Sequence, residues 1–164
     1  MNTLAIFGLS VLMSLVSSGL IAQLVVWPGL RNADRDSALV PLVAPHMLLY
    51  RAELLVPGVV SSSLPDAFAI PAAYGDFGAG LLAIIATVAL LKRAAWALGA
   101  VWLFNIWGAA DLLFALYQGP RVGIGPEAFG ATFFIPTAIV PPLLVTHFLI
   151  FRLLIRPRQM AAGG

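Results

Sequence analysis

The 164-residue chain contains no cysteine. Disulfides, thiolate metal centres and thiol catalysis are therefore excluded, and the redox compartment is left open. Charge is scarce too. Asp, Glu, Lys and Arg make up 10% of the residues, against roughly 25% in an ordinary soluble domain. Basic residues are dispersed over several loops and the net charge is only +2, which excludes a nucleic-acid patch. There is no metal-ligand motif, nucleophile elbow, P-loop or dinucleotide fingerprint. The glycines of "YGDFGAG" follow no strand and are not a phosphate loop. Histidine occurs only twice, as His46 and His147.

What remains is apolar. Hydrophobic residues make up 61% of the chain and the mean hydropathy is +0.99. So few charges cannot solvate a surface in water, so lipid must do it. The chain reads as all-α, one integral-membrane helical domain over residues 1–164, a polytopic bundle of about five transmembrane helices. A span needs about 20 apolar residues. Five stretches approach this: 3–27, 38–60, 70–91, 95–117 and 128–155. The first lacks a basic region before it and runs for about 25 apolar residues, whereas a secretory core is roughly 7–15 long, so it reads as a retained span. The second carries Pro41, Pro45 and Pro57. Its continuous helix is expected to begin near Pro45 or His46, with "ALVPLVAP" as an interfacial approach. The fifth carries Pro136, Pro141 and Pro142, which predict a kink.

Five spans place Arg31, Arg35, Lys92, Arg93, Arg152, Arg156 and Arg158 on one side and Arg121 on the other. The positive-inside rule then puts the N-terminus outside and the C-terminus in the cytoplasm. A four-span reading without the second stretch would oppose Arg31 and Arg35 to Lys92 and Arg93.

In this topology Asp76 lies roughly 8–9 Å deep and Asp111 roughly 10 Å deep, at about 1.5 Å per residue. Arg51 and Glu53 fall in the middle or outer half of the second span. Charges at such depth cost about 2.5–3.5 kcal/mol even on lenient scales, so they should face the bundle interior and find partners. Arg51 is the fixed cation available, and its fork suits a carboxylate. The expected cluster is Arg51 with Asp76, Asp111 or both. Glu53 lies about 200° round the helix from Arg51 and needs another partner, a proton or an interfacial place. Tyr74, Asn105 and Thr137 are candidate lining residues of the same pocket. Gly75, Gly78, Gly80, Gly108, Ala109 and Ala110 flank the acids, and small residues let helices approach closely in lipid. Ser10, Ser14, Ser17 and Ser18 mark a second small-residue face. A register-fixing ion pair is the bland alternative to a pocket.

His46 and His147 could stand at comparable depth on two spans, the arrangement needed for bis-imidazole ligation of haem b. A polar, hydrogen-bonded histidine is the plainer state of each.

The segment "LPDAFAIPAAYGD", with "YRAELL" upstream and "WGAADLLFAL" downstream, resembles a family of small bacterial polytopic membrane proteins without an assigned function. The residues that carry the likeness are Leu64-Pro65, Phe68-Ala69, Pro71-Ala72, Gly75-Asp76, Arg51 and Asp111. The resemblance implies a bacterial inner membrane and no activity. Three function classes stay open: a transporter or small-molecule or lipid-binding protein using the Arg51/Asp76/Asp111 pocket, an accessory or haem-binding subunit of a larger membrane complex, and a membrane enzyme acting on a lipid. The lipid bilayer is the expected partner, with a homo-oligomer open.

Overall fold

The computed structural model describes residues 2–55 and 64–156, with the backbone alone over 50–55. It is all-α. In chain order the elements are α1 (Thr3–Leu30), α2 (Arg35–Val43), a 3-10 segment (Ala44–Leu55), α3 (Asp66–Leu91), α4 (Ala97–Arg121), a second 3-10 segment (Pro126–Phe133) and α5 (Ile135–Leu154). Of these, α1, α3, α4 and α5 are long and apolar enough to cross a membrane.

The expected second span differs from its prediction. Over 38–55 it is two pieces, not one helix, and Pro57 lies outside the described residues. Helix also begins earlier than expected, at Arg35 and not near Pro45 or His46, so "ALVPLVAP" is mostly helical. Asp34, in extended conformation, accepts a hydrogen bond from the Ser37 backbone N–H at 3.3 Å and starts α2 ahead of the prolines. Residues 38, 39, 42 and 43 then share one face, and Ala38, Leu39, Leu42 and Val43 are all buried. Pro41 removes one helical hydrogen bond and is tolerated in so short a helix. From Ala44 onward the chain tightens into 3-10 form.

The Ser37 N–H holds the Asp34 carboxyl below its usual 3.8. A lowered folded-state value means that the cap stabilises fully above the ordinary carboxyl range. That stabilisation is lost as pH falls through the lowered value. Asp34→Ala is therefore expected to cost about 1 kcal/mol at neutral pH. Unfolding curves of the two proteins should converge in acid.

Two long helices contain a π turn, each just ahead of a proline. In α1 the Trp27 N–H donates to the Ala22 carbonyl, before Pro28. In α5 the Val140 N–H donates to the Ile135 carbonyl, before Pro141. A proline ring clashes with the carbonyl four residues back, and the wider turn relieves this. The kink expected in the fifth span is realised in this way. That span also starts later than residue 128, because Gly130 breaks the helix at φ 48°, ψ −125°.

Two apolar clusters fill opposite ends of the bundle. One gathers Ala22, Leu39, Val43, Ala86, Phe104 and Ile150. The other gathers Leu64, Phe68, Ala72 and Phe129, with Phe7 against them. Basic residues collect beyond the first cluster. The Arg35 guanidinium donates to the Arg156 carbonyl, Arg156 donates to the Arg31 carbonyl at 2.6 Å, and Arg152 stacks 3.6 Å over the Trp27 ring. Lys92 and Arg93 turn the chain from α3 to α4 at the same end. Outward, large apolar side chains such as Leu24, Leu91, Leu113 and Phe148 are exposed along the helices, as a lipid-facing surface requires.

Candidate functional site

At the end away from the basic residues, a cavity of about 850 Å³ opens between the first half of α1, the start of α3 and the second half of α4. Leu12, Phe68, Leu112 and Phe129 make most of it apolar, and Asp76 and Asp111 bring carboxylates into it. The two acids come from adjacent, closely packed helices. The closeness depends on Gly75, since a Cβ added there would overlap the Asp111 carboxylate. Trp107 completes the seam by donating its indole N–H to the Gly75 carbonyl at 3.2 Å.

One turn further along both helices, a second close approach occurs. A Cβ on Gly108 would lie 2.6 Å from His147 Cε1 and 2.8 Å from His147 Nε2, with Ala79 of α3 at 3.7 Å. His147 and His46 are both buried there. Their ring centroids are 4.5 Å apart, and Phe104 lies against both at 5.1 and 5.3 Å.

Hydrogen bonds fix the tautomer of each ring. Asn105 Nδ2 donates to the His147 carbonyl at 3.2 Å, so Asn105 Oδ1, 2.7 Å from His147 Nδ1, is an acceptor. His147 must therefore carry its proton on Nδ1. Thr146 gives its only hydroxyl proton to the Leu143 carbonyl at 2.7 Å, so it accepts from His46 Nε2 at 2.8 Å. His46 carries its proton on Nε2. The other ring nitrogens, His147 Nε2 and His46 Nδ1, are buried without a partner among the described residues.

The sequence candidates fall into three groups. Asp76 and Asp111 meet in the cavity. Asn105 is buried but serves His147, and the Thr137 hydroxyl bonds the Phe133 carbonyl at 2.7 Å, so neither lines the cavity. Tyr74 is 75% exposed on the outside of α3 and does not line it either. The side chains of Arg51 and Glu53 lie outside the described residues. His46 and His147 do meet, but not as haem ligands. Two axial imidazoles on one iron need ring centroids about 6 Å apart, given metal–nitrogen bonds of about 2 Å, with a flat macrocycle between them. Rings 4.5 Å apart and packed on Phe104 do not fit that group.

A family model described as "Domain of unknown function (DUF8737)" matches residues 6–155. The chain belongs to the DUF8737 family. No curated protein and no solved structure matches it. With four candidate spans, this DUF8737 chain is a small multi-span membrane protein. Sequence reasoning missed Asn105 as the His147 partner and Thr146 as the His46 partner. Thr146 precedes His147 in "VTHF", and Asn105 lies one helical turn before Gly108, which was the available signal.

Proposed function

We propose that this DUF8737 protein is a five-span bundle of a bacterial inner membrane that binds, and carries, a small amphiphilic molecule in its cavity. The observation behind this reading is the convergence of Asp76 and Asp111 on a mostly apolar space of about 850 Å³, whose lining also includes Glu127. Ligand pockets usually measure about 300–1,000 Å³ and hold a few placed polar groups. An ionised carboxylate only accepts hydrogen bonds. The guest is accordingly an amphiphile whose polar end carries donors, an amine or a hydroxyl.

The two end clusters support five crossings. Both α1 and α3 begin near the Phe7–Phe68 cluster and finish near the basic end. The chain between them must return. At about 1.5 Å per α-helical and about 2.0 Å per 3-10 residue, residues 35–55 reach some 35–40 Å, more than the roughly 30 Å hydrocarbon layer. The arginines at one end favour the cytoplasm, which turns the cavity outward. Arg51 enters the proposal as counter-ion to one of the acids. Its segment packs along α3, and Arg51 lies five residues beyond His46, about 10 Å toward the cavity end. The other acid is left for the guest.

The test uses purified protein in nanodiscs with dodecylamine, dodecanol and dodecanoate as probes. Amine and alcohol should raise the unfolding temperature, and dodecanoate should not. Asp76→Asn and Asp111→Asn should each weaken amine binding tenfold or more while the protein stays folded. Equal stabilisation by all three probes, or folded variants that bind as the parent does, would reject the reading.

A further inference from the structure

We propose that His147 and His46 form a proton-loading site one helical turn inward from the carboxylate cavity. The starting point is their unused chemistry. Each ring has given its N–H to a fixed acceptor, Asn105 or Thr146. Each thereby keeps a bare lone pair, on His147 Nε2 and His46 Nδ1, with no partner among the described residues. Residues His46 and His147 are 0% and 2% exposed. Leaving a buried acceptor unmatched is costly, and a chain with two histidines has placed both in that condition. What satisfies a buried imidazole lone pair is an electron-pair acceptor small enough to reach it, and a proton is the smallest.

The surroundings supply a source. Asp111 packs over Gly75, and the Nε2 edge of His147 packs over Gly108. Gly75 and Ala79 are one turn apart on α3, and Gly108 and Asp111 are nearly one turn apart on α4. His147 Nε2 is thus displaced from the Asp111 level by about 5 Å along the seam, and the proposed transfer crosses it by a bridging water. The transfer balances simply. A proton leaves the carboxyl group of Asp111 through that water and joins the Nε2 lone pair. A carboxylate and an imidazolium result, and Nδ1–H stays donated to Asn105. The His46 lone pair is a second acceptor beside it. Inward of the pair, Phe104, Val43 and Ile150 are fully buried. These side chains are apolar, so the pair stores a proton more readily than it conducts one.

Among the described side chains, the ionisable groups around the pair are Asp76 on α3, Asp111 on α4 and the opposite histidine of each ring. The site does not depend on the cavity having the proposed guest.

With only two histidines, the full-length protein labelled with 15N-histidine in nanodiscs gives four ring-nitrogen signals. At alkaline pH one ring should be the Nδ1–H tautomer and the other the Nε2–H tautomer. On acidification His147, assigned from His46→Gln, should become doubly protonated before the protein unfolds. The pH at which it does so should move by half a unit or more in Asp111→Asn. It should stay in place in Asp66→Asn, an exposed control at the start of α3. Two rings of the same tautomer would overturn the proposal. So would a His147 that remains neutral until unfolding, a midpoint indifferent to Asp111→Asn, or a metal ion on the bare nitrogens in mass spectra of the native protein.

Discussion

Gly108→Ala is expected to destabilise the bundle by about 2–3 kcal/mol, the upper part of the range for overpacking a close-packed interior. The new methyl group would stand 2.6 Å from His147 Cε1 and 2.8 Å from Nε2. Contacts that short force a shift, and the neighbour cannot give easily. His147 is a rigid ring, buried, and tied through Nδ1 to Asn105 at 2.7 Å. Either the ring abandons that bond or α4 and α5 move apart. Gly99→Ala on the same helix is the control, since nothing lies within 4 Å of a Cβ there. It should be neutral or slightly stabilising, because alanine is the better helix former. Denaturant unfolding in mild detergent compares the two. If both variants unfold together, the packing of His147 over Gly108 is wrong.

Asn105→Leu should cost about 1–3 kcal/mol, although leucine has the same branching and number of heavy atoms. Asn105 is fully buried. Its amide serves His147 twice, accepting from Nδ1 and donating to the backbone carbonyl. Removing it leaves the buried Nδ1–H unmatched, at about 1–3 kcal/mol, while the carbonyl keeps its bond within α5. The double variant Asn105→Leu/His147→Leu should recover part of the loss, since replacing both sides of a polar contact with apolar groups is far milder than removing one. An Asn105→Leu protein as stable as the parent would mean that the imidazole finds another acceptor.

Much of the bundle was legible because lipid leaves few options. Apolar runs of span length must become helices, and α1, α3, α4 and α5 follow. Asp76 and Asp111 were legible for a related reason: an acid at depth needs company. Proline was read less well. At Pro41 its cost was outweighed by the Asp34 cap and by the burial of Leu39 and Leu42, so helix formed where an interfacial strand of chain was expected. At Pro28 and Pro141 the cost was absorbed by π turns, which no residue pattern announces. Tyr74 shows another limit. It neighbours Gly75 in sequence, but successive helical residues point about 100° apart, and its ring lies on the outer face. The bonds that set the two histidine tautomers cross between elements, and spacing along one chain does not reveal them.

The cavity has one wall unlike the rest. No residue of α1 between Thr3 and Ile21 is buried, so this helix can swing from its neighbours with little loss of packing. Under the proposed function, a guest would reach the acids sideways, from among the acyl chains, without dissolving in water on the way. Its occupancy follows its mole fraction in the membrane. Diluting the same amount of guest and protein with more phospholipid should empty the site, while diluting the suspension with buffer should leave it filled.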